Sequence, residues 1–325
     1  MDKGWLKLSR VFIPLLVLFS CSANNYKPEP KPEFDRSVAA TEPVKPKAAT
    51  DSTPVEQLTV NLSATKAIDG SILLVDIQIS HRRRNLASAI LPKLTAQFED
   101  IDIPLYQLEG REGVFEGVLG VPFNHKPGRA SVKVRMDKDS AEAYFEIIAG
   151  NYKSELLHVD KEHAKPNLKN QRRKAREAAE AGALYKIITA KKYWKGHFAL
   201  PLNSAVTSPF GNKRLFNGEM KSFHQGLDLR ASVGTPIHAP AAGKVAMAKD
   251  LFMTGNTVIL DHGYGVFTIY AHMSKLKVKK GDEVGTNQLL GLAGKTGRAS
   301  GPHLHWGAVI QKMKVNPLDL TQVMN

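Results

Sequence analysis

A chain of 325 residues is long enough for about two domains of ordinary size, and with 42% hydrophobic residues it can bury ordinary cores. The formal net charge of +14 favours anionic partners and excludes none of nucleic acid, anionic membrane or carboxylate-rich polymer by itself. A single cysteine excludes a disulfide within the chain.

The N-terminal residues read as a secretory signal over 1–20. Lys3, Lys7 and Arg10 precede the apolar run VFIPLLVLFS from Val11 to Ser20, which is too short for a comfortable span and is interrupted by Pro14. Leu18, Phe19 and Ser20 before Cys21 resemble the lipobox of bacterial lipoproteins, which implies lipidation of Cys21 and a membrane-anchored, periplasmic protein. Ser22 stands where an Asp would favour the inner membrane, so the outer membrane is expected. Residues 22–54 (KPEPKPEFD, EPVKPKAATDSTP) are almost free of large aliphatics and read as a disordered Pro/Lys-rich tether.

From 55 to 158 short apolar or alternating segments (QLTVNLSA, ILLVDIQIS, VFEGVLGVPF, RASVKVRM, AEAYFEIIA) are separated by DG, EGREG and NHKPGR, the spacing of a small immunoglobulin-like sandwich. His81, Arg82, Arg83 and Arg84 read as a solvated turn. Between Lys161 and Lys195 eleven Lys or Arg stand against three Glu, and NLKNQRRKAREAAEAGALYKIITA is rich in helix formers. Residues 159–200 are therefore expected to form a solvated, basic helical linker, interrupted or capped near Gly182. No aromatic platform is interleaved with these cations, so nucleic acid is not an expected partner. From 201 to 321 glycine is frequent and β-type segments dominate, with DHGYG as a hairpin turn. The fold class is thus mainly β: a sandwich, a basic helical linker and a β-rich C-terminal domain.

Seven of the eleven histidines lie from His197 onward. In SFHQGLDL, His224 and Asp228 are four apart, and the alternation around Leu227 and Leu229 argues for extended chain. Four residues of straight strand cover about 13 Å, too far for both side chains to reach one ion, so Gly226 is assigned the bend that lets them converge. On spacing alone a surface or salt-bridged pair remains open. In GPHLHWG, His303 and His305 share one strand face about 6.5 Å apart, so that one ring can bind a metal while the other stands at an open coordination position. Two imidazoles and a carboxylate leave the vacant fourth place of a catalytic zinc site. In IYAHMS, Tyr270 and His272 are expected on a common strand face. His238 and His262 are expected to be structural or exposed.

Together, HxGxD at His224 to Asp228, YAHM at Tyr270 to Met273 and TGRASGPHLHWG at Thr296 to Gly307 resemble the lysostaphin-type, LytM-like metallopeptidases, as do SPFGNKRLFNG, ASVGTPIHAPAAGKV and VKKGDEV around them. The resemblance covers about Pro201 to Leu320. It implies that His224, Asp228 and His305 bind one zinc ion, that His303 and His272 are the unligated catalytic pair, and that the substrate is the peptide of bacterial cell-wall peptidoglycan. Arg214 and Asn217, in RLFNG, are candidate substrate contacts. A non-catalytic, wall-binding or amidase-regulating relative, partnered with other wall hydrolases, is the alternative; all five site positions being occupied speaks against it.

Overall fold

The computed structural model describes residues 57–80, 93–157, 166–216 and 219–324. The signal segment, Cys21, the tether, the His81–Arg84 turn and Asn217 lie outside the described residues.

The first part is a sandwich of two sheets. One has the order Gln57–Leu62, Ile72–Ser80, Val114–Gly120, Leu105–Gln107; the other Lys66–Ile68, Asp139–Ile148, Gly128–Met136, Leu94–Phe98, Ile101–Ile103. Neighbours run antiparallel except Lys66–Ile68, which pairs parallel with Asp139–Ile148. Period-two alternation puts Val75, Ile77, Val132, Val134, Phe145 and Ile147 between the sheets. The segment Ser154–Leu157 then leaves the sandwich and pairs in parallel with Lys213–Phe216, which forms a hairpin with Glu219–Phe223.

The second part is built on one antiparallel sheet in the order Val206–Ser208, Leu227–Arg230, His303–Ile310, Val266–Met273, Gly255–Gly263, Gly243–Leu251, Glu283–Val284, with Met313–Val315 paired to His303–Ile310. The DHGYG hairpin turns on Tyr264 and Gly265, whose φ angles of 50° and 78° are the two positive values a type I′ turn requires. One face of the sheet carries Leu227, Leu229, Tyr270, Leu304 and Trp306 into the main core. Ile72, Tyr106 and Val118 of the sandwich join that same core. Backbone groups seal the junction: Ile72 N donates to Asp319 Oδ2, Asn316 N to Gly70 O, and Gln311 Nε2 to Val118 O.

The basic segment departs from the expected solvated linker. Its helix, Leu168–Leu184, starts at Asn167, whose side chain accepts from Asn170 N, and runs through Gly182 without a break. Gly182 has open space where a Cβ would stand, so the helix ends only where Tyr185 turns inward against Phe267. Glu177 is buried, accepts from Phe252 N and pairs with Arg173. Beyond the helix Trp194 and Phe198 are each 1% exposed in the main core. Burial of Phe198 alone is worth about 2–3 kcal/mol, enough to explain why this segment lies on the sheet. Its charged face is solvent-exposed at Lys169, Arg172, Lys174 and Arg176, while its apolar residues hold it down.

Gly182→Ala is expected to raise stability by about 0.5–1 kcal/mol, read from urea unfolding, because the helix gains propensity and the new methyl meets nothing. His262 is fully buried between Ala242 O and Thr268 Oγ1, and burial lowers its pKa to about 4. Since the unfolded ring titrates near 6.5, its contribution is complete above that pH and is lost as pH falls toward 4. Between pH 7.5 and 5 this amounts to about 2 kcal/mol, and His262→Gln should remove that part of the pH dependence of the urea midpoint.

Candidate metal centre

The site lies on the sheet face opposite the main core, where three short-range constraints act together. Leu227–Arg230 pairs with His303–Ile310 so that Asp228 stands directly across from His305 and Arg230 across from His303. Cross-strand partners point to the same face, so this register alone unites Asp228 with His305. His224 precedes the strand, and its own backbone holds it there: His224 N donates to Asn212 O, and Gly211 N to His224 O.

Gly226 lies in the expected bend, which spans Gln225 and Gly226 and lets His224 meet Asp228, and it has a second role besides. A Cβ at this position would lie 2.5 Å from Trp306 O and 2.8 Å from both Cε1 and Nε2 of His305. The glycine is needed because Trp306 O and the His305 ring occupy the space that a side chain would fill.

The resulting donor set is compact. His224 Nε2, Asp228 Oδ1 and His305 Nδ1 form a triangle with sides of 3.0, 2.9 and 3.0 Å. Zinc with N and O ligands at about 2.0–2.2 Å has a tetrahedral edge of about 3.4 Å, so the three atoms need separate only slightly to accept such an ion. Their ionisation also suits one. Burial would raise the Asp228 carboxyl, but the imidazoles of His224 and His305 against it hold it well below the usual carboxylate range. Burial pushes His305 down to about 4, against the pull of Asp228, and so keeps it neutral. His224 is 1% exposed, and its Nδ1 lies 2.9 Å from both Pro209 O and Ser208 Oγ. An N–H at Nδ1 satisfies those acceptors and leaves the Nε2 lone pair facing the triangle.

Two further imidazoles adjoin it. His303 donates from Nδ1 to Gly301 O, and its Nε2 is 3.6 Å from Asp228 Oδ1. His272 donates from Nδ1 to Thr296 O at 2.7 Å, and its ring centroid is 4.8 Å from that of His303. In both rings Nδ1 is committed to a backbone carbonyl, which leaves Nε2 as the nitrogen free to act. Burial, with His303 and His305 nearby, depresses His272 to about 3. The expectation that Tyr270 and His272 share a strand face fails. Tyr270 points into the main core opposite Trp306, whereas His272 has φ of +60° and the ladder to Gly255–Gly263 shifts register there. This bulge turns the side chain over to the side of His303, at a cost of order 1 kcal/mol for a non-glycine residue in the left-handed region.

Arg214, expected at the substrate, lies 14% exposed behind the triangle, where its Nη2 donates to Asp228 Oδ2 and to Ser208 Oγ. Ser208, Thr296 and Glu155 escaped the sequence reading. Ser208 and Thr296 lie within SPFGNK and TGRASG, but a lone hydroxyl such as that of Ser208 and a backbone carbonyl such as that of Thr296 have no spacing signature; Glu155 carries no signal at all. His238 is half-buried on Pro236–His238, away from the donor triangle in the fold, and pairs with Leu289 in a separate small sheet. Among the described residues the three-donor cluster is the one group of this kind able to hold a metal ion.

Residues 222–317 match the model of peptidase family M23. A Pseudomonas aeruginosa protein assigned to peptidase M23, known from its crystal structure, is 30% identical; the alignment covers 79% of the present chain and 96% of that one, with a TM-score of 0.60. The chain belongs to peptidase family M23, and its fold is the mainly β one of that family. Peptidoglycan DD-endopeptidase ShyA of Vibrio cholerae is 40% identical over 95 residues, 29% of this chain and 22% of its own length. DD-carboxypeptidase/endopeptidase Mpg of Neisseria meningitidis is 36% identical over 115 residues, 35% of this chain and 26% of its own. The chain therefore spans about a quarter of the length of the curated relatives it matches.

Because the His305 ring occupies the space over Gly226, Gly226→Ala should weaken zinc binding at least tenfold and cost about 1–3 kcal/mol of stability. Chelator competition and urea unfolding measure the two effects; an alanine variant with unchanged zinc affinity would contradict the packing argument.

Proposed function

We propose that this protein is a zinc-dependent endopeptidase that hydrolyses peptide cross-links in bacterial cell-wall peptidoglycan. In this reading His224, Asp228 and His305 hold one zinc ion, and His303 and His272 act on the reacting atoms. The observation that carries it is the juxtaposition of a neutral-imidazole and carboxylate donor triangle with two unligated rings whose Nδ1 atoms are both committed to backbone carbonyls. The names of the M23 relatives supply the substrate class.

A bound zinc ion supplies Lewis-acid chemistry, polarising a peptide carbonyl and acidifying water. The protein's own contribution is proton handling and orientation. With Nδ1 fixed as a donor, His303 and His272 each offer a basic Nε2 that can take the proton of an attacking water. The same nitrogens, once protonated, can donate to the developing oxyanion and then to the departing amine. Burial holds His272 in the neutral form, which suits it to positioning water or substrate. Arg214 acts on Asp228 and Ser208 in this scheme, and Asn217 retains the proposed substrate contact alone.

The division into a sandwich (55–158), a basic segment (159–200) and a peptidase domain (201–321) is part of the proposal, as are lipidation at Cys21, a periplasmic location with outer-membrane anchoring, and association with wall-hydrolase regulators. The exposed cations of the helix suit a polymer rich in carboxylates, with an attraction that salt would screen.

Purified protein should lower the turbidity of isolated peptidoglycan, lose this activity on chelation and regain it with zinc, and mass analysis of the released muropeptides should identify the severed bond. His305→Ala should abolish both zinc binding and hydrolysis. His303→Ala should retain zinc while losing about 10²–10⁴-fold in rate. Full hydrolysis after chelation, or by zinc-loaded His303→Ala, would overturn the mechanism.

A further inference from the structure

Two of the three metal donors lean on a residue that comes from outside the peptidase domain. Glu155 lies on Ser154–Leu157, the segment leaving the sandwich, 67 residues before the family match begins at residue 222. Parallel pairing of this segment with Lys213–Phe216 sets Glu155 opposite Arg214. Asn212, 5% exposed, fixes the segment on both sides: its Oδ1 accepts from Lys153 N and its Nδ2 donates to Glu155 Oε1 at 2.6 Å.

The other carboxylate oxygen faces the metal centre. Ser208 Oγ donates to Glu155 Oε2 at 2.7 Å. A hydroxyl has a single proton, so once it is committed to Glu155 the oxygen turns its lone pairs to its other two neighbours, Arg214 Nη2 at 3.1 Å and His224 Nδ1 at 2.9 Å. His224 must then carry its proton on Nδ1 and keep Nε2 open toward Asp228 and His305. Pro209 O, 2.9 Å from Nδ1, favours the same tautomer, and the carboxylate adds to it by keeping the Ser208 proton from pointing at Nδ1 and competing for the opposite tautomer, which cannot bind a metal through Nε2. Glu155 Oε2 also lies 3.7 Å from Arg214 Nε, while Arg214 Nη2 donates to Asp228 Oδ2 and so leaves Oδ1 for the triangle. Glu155 balances the guanidinium charge that would otherwise fall on Asp228 alone.

We propose that Glu155 is a positioning residue of the metal centre, acting through Ser208 on His224 and through Arg214 on Asp228, so that the strand leaving the sandwich is part of the metal-binding apparatus. This rests on the zinc reading above and adds to it a requirement for a residue outside the matched domain. Outer partners of metal-ligating histidines and carboxylates typically change affinity by 10–100-fold.

The test is zinc affinity of the full chain by competition with a chromophoric chelator, together with the visible absorption of the cobalt(II)-substituted protein. Glu155→Ala should weaken zinc binding 10–100-fold and alter the cobalt bands, whereas Leu156→Ala, an exposed position on the same strand, should change neither. Glu155→Gln keeps an acceptor for the Ser208 hydroxyl but not the charge facing Arg214, and should restore part of the affinity. Ser208→Ala should weaken binding by itself and reduce the further loss caused by Glu155→Ala in the double variant. Wild-type zinc affinity in Glu155→Ala, or fully additive losses in the double variant, would overturn the proposal. Should Glu155→Ala fail to fold, the remaining variants decide: wild-type zinc affinity in Ser208→Ala or in Glu155→Gln overturns the proposal, and weakened affinity in both supports it. A wild-type protein that binds neither zinc nor cobalt would instead sink the metal reading itself.

Discussion

The arrangement of the site depends on one buried carboxylate. Asp228 receives the imidazoles of His224 and His305 on one oxygen and the guanidinium of Arg214 on the other. A carboxylate with so little exposure is tolerated only because each oxygen is met by a donor. That condition fixes what surrounds it. His305 must come from the adjoining strand in register, Arg214 from the hairpin before His224, and the Arg214 charge must itself be met, which draws in Ser208 and Glu155. The metal donors are therefore the inner layer of a polar network whose outer members come from two segments more than fifty residues apart, Glu155 on one and Ser208 with Arg214 on the other.

Much of the fold was legible because it follows from local rules. Alternation in ILLVDIQIS and RASVKVRM identified sandwich strands that bury Val75, Ile77, Val132 and Val134. DHGYG forms the tight turn its glycines suggest. His303 and His305 share a face because they are two apart in a regular strand, and the grouping of His224 with Asp228 and His305 was reached from motif resemblance. What was not legible arises where tertiary packing overrides local pattern. Alternation puts His272 beside Tyr270, but a bulge reverses it, and no residue in IYAHMS announces a positive φ. Gly182 reads as a helix end, yet its surroundings leave the helix free to continue until Tyr185 finds Phe267. Glu155 and Ser208 acquire their roles only through pairing between strands about sixty residues apart.

The basic segment illustrates the same point from the side of charge. Its cations suggested a solvated helix, and several are exposed, but charge on one face says nothing about the opposite face. Tyr185 fastens the segment to Phe267 on the sheet face that carries the site, Glu177 accepts from Phe252 N, and Trp194 and Phe198 enter the main core on the other face. Composition summed over a window hides an amphipathic arrangement of this kind, since four buried residues among thirty-odd decide where the rest are held.

The strand His303–Ile310 carries the site at its first and third residues, and directly beyond its last residue Gln311 grips Val118 of the sandwich. Eight extended residues cover about 26 Å, so one nearly inextensible element links the chemistry to the junction between the two parts. Sliding the sandwich against the sheet would drag this strand along its neighbours, and strand pairing permits only steps of two residues if the same side chains are to stay on the same face. Mechanically, then, the protein has no soft coordinate along this direction: the spacing between sandwich and site is set by a backbone length, as in a rod fixed at both ends, and small adjustments must come from rotation about the strand or from the turns around it.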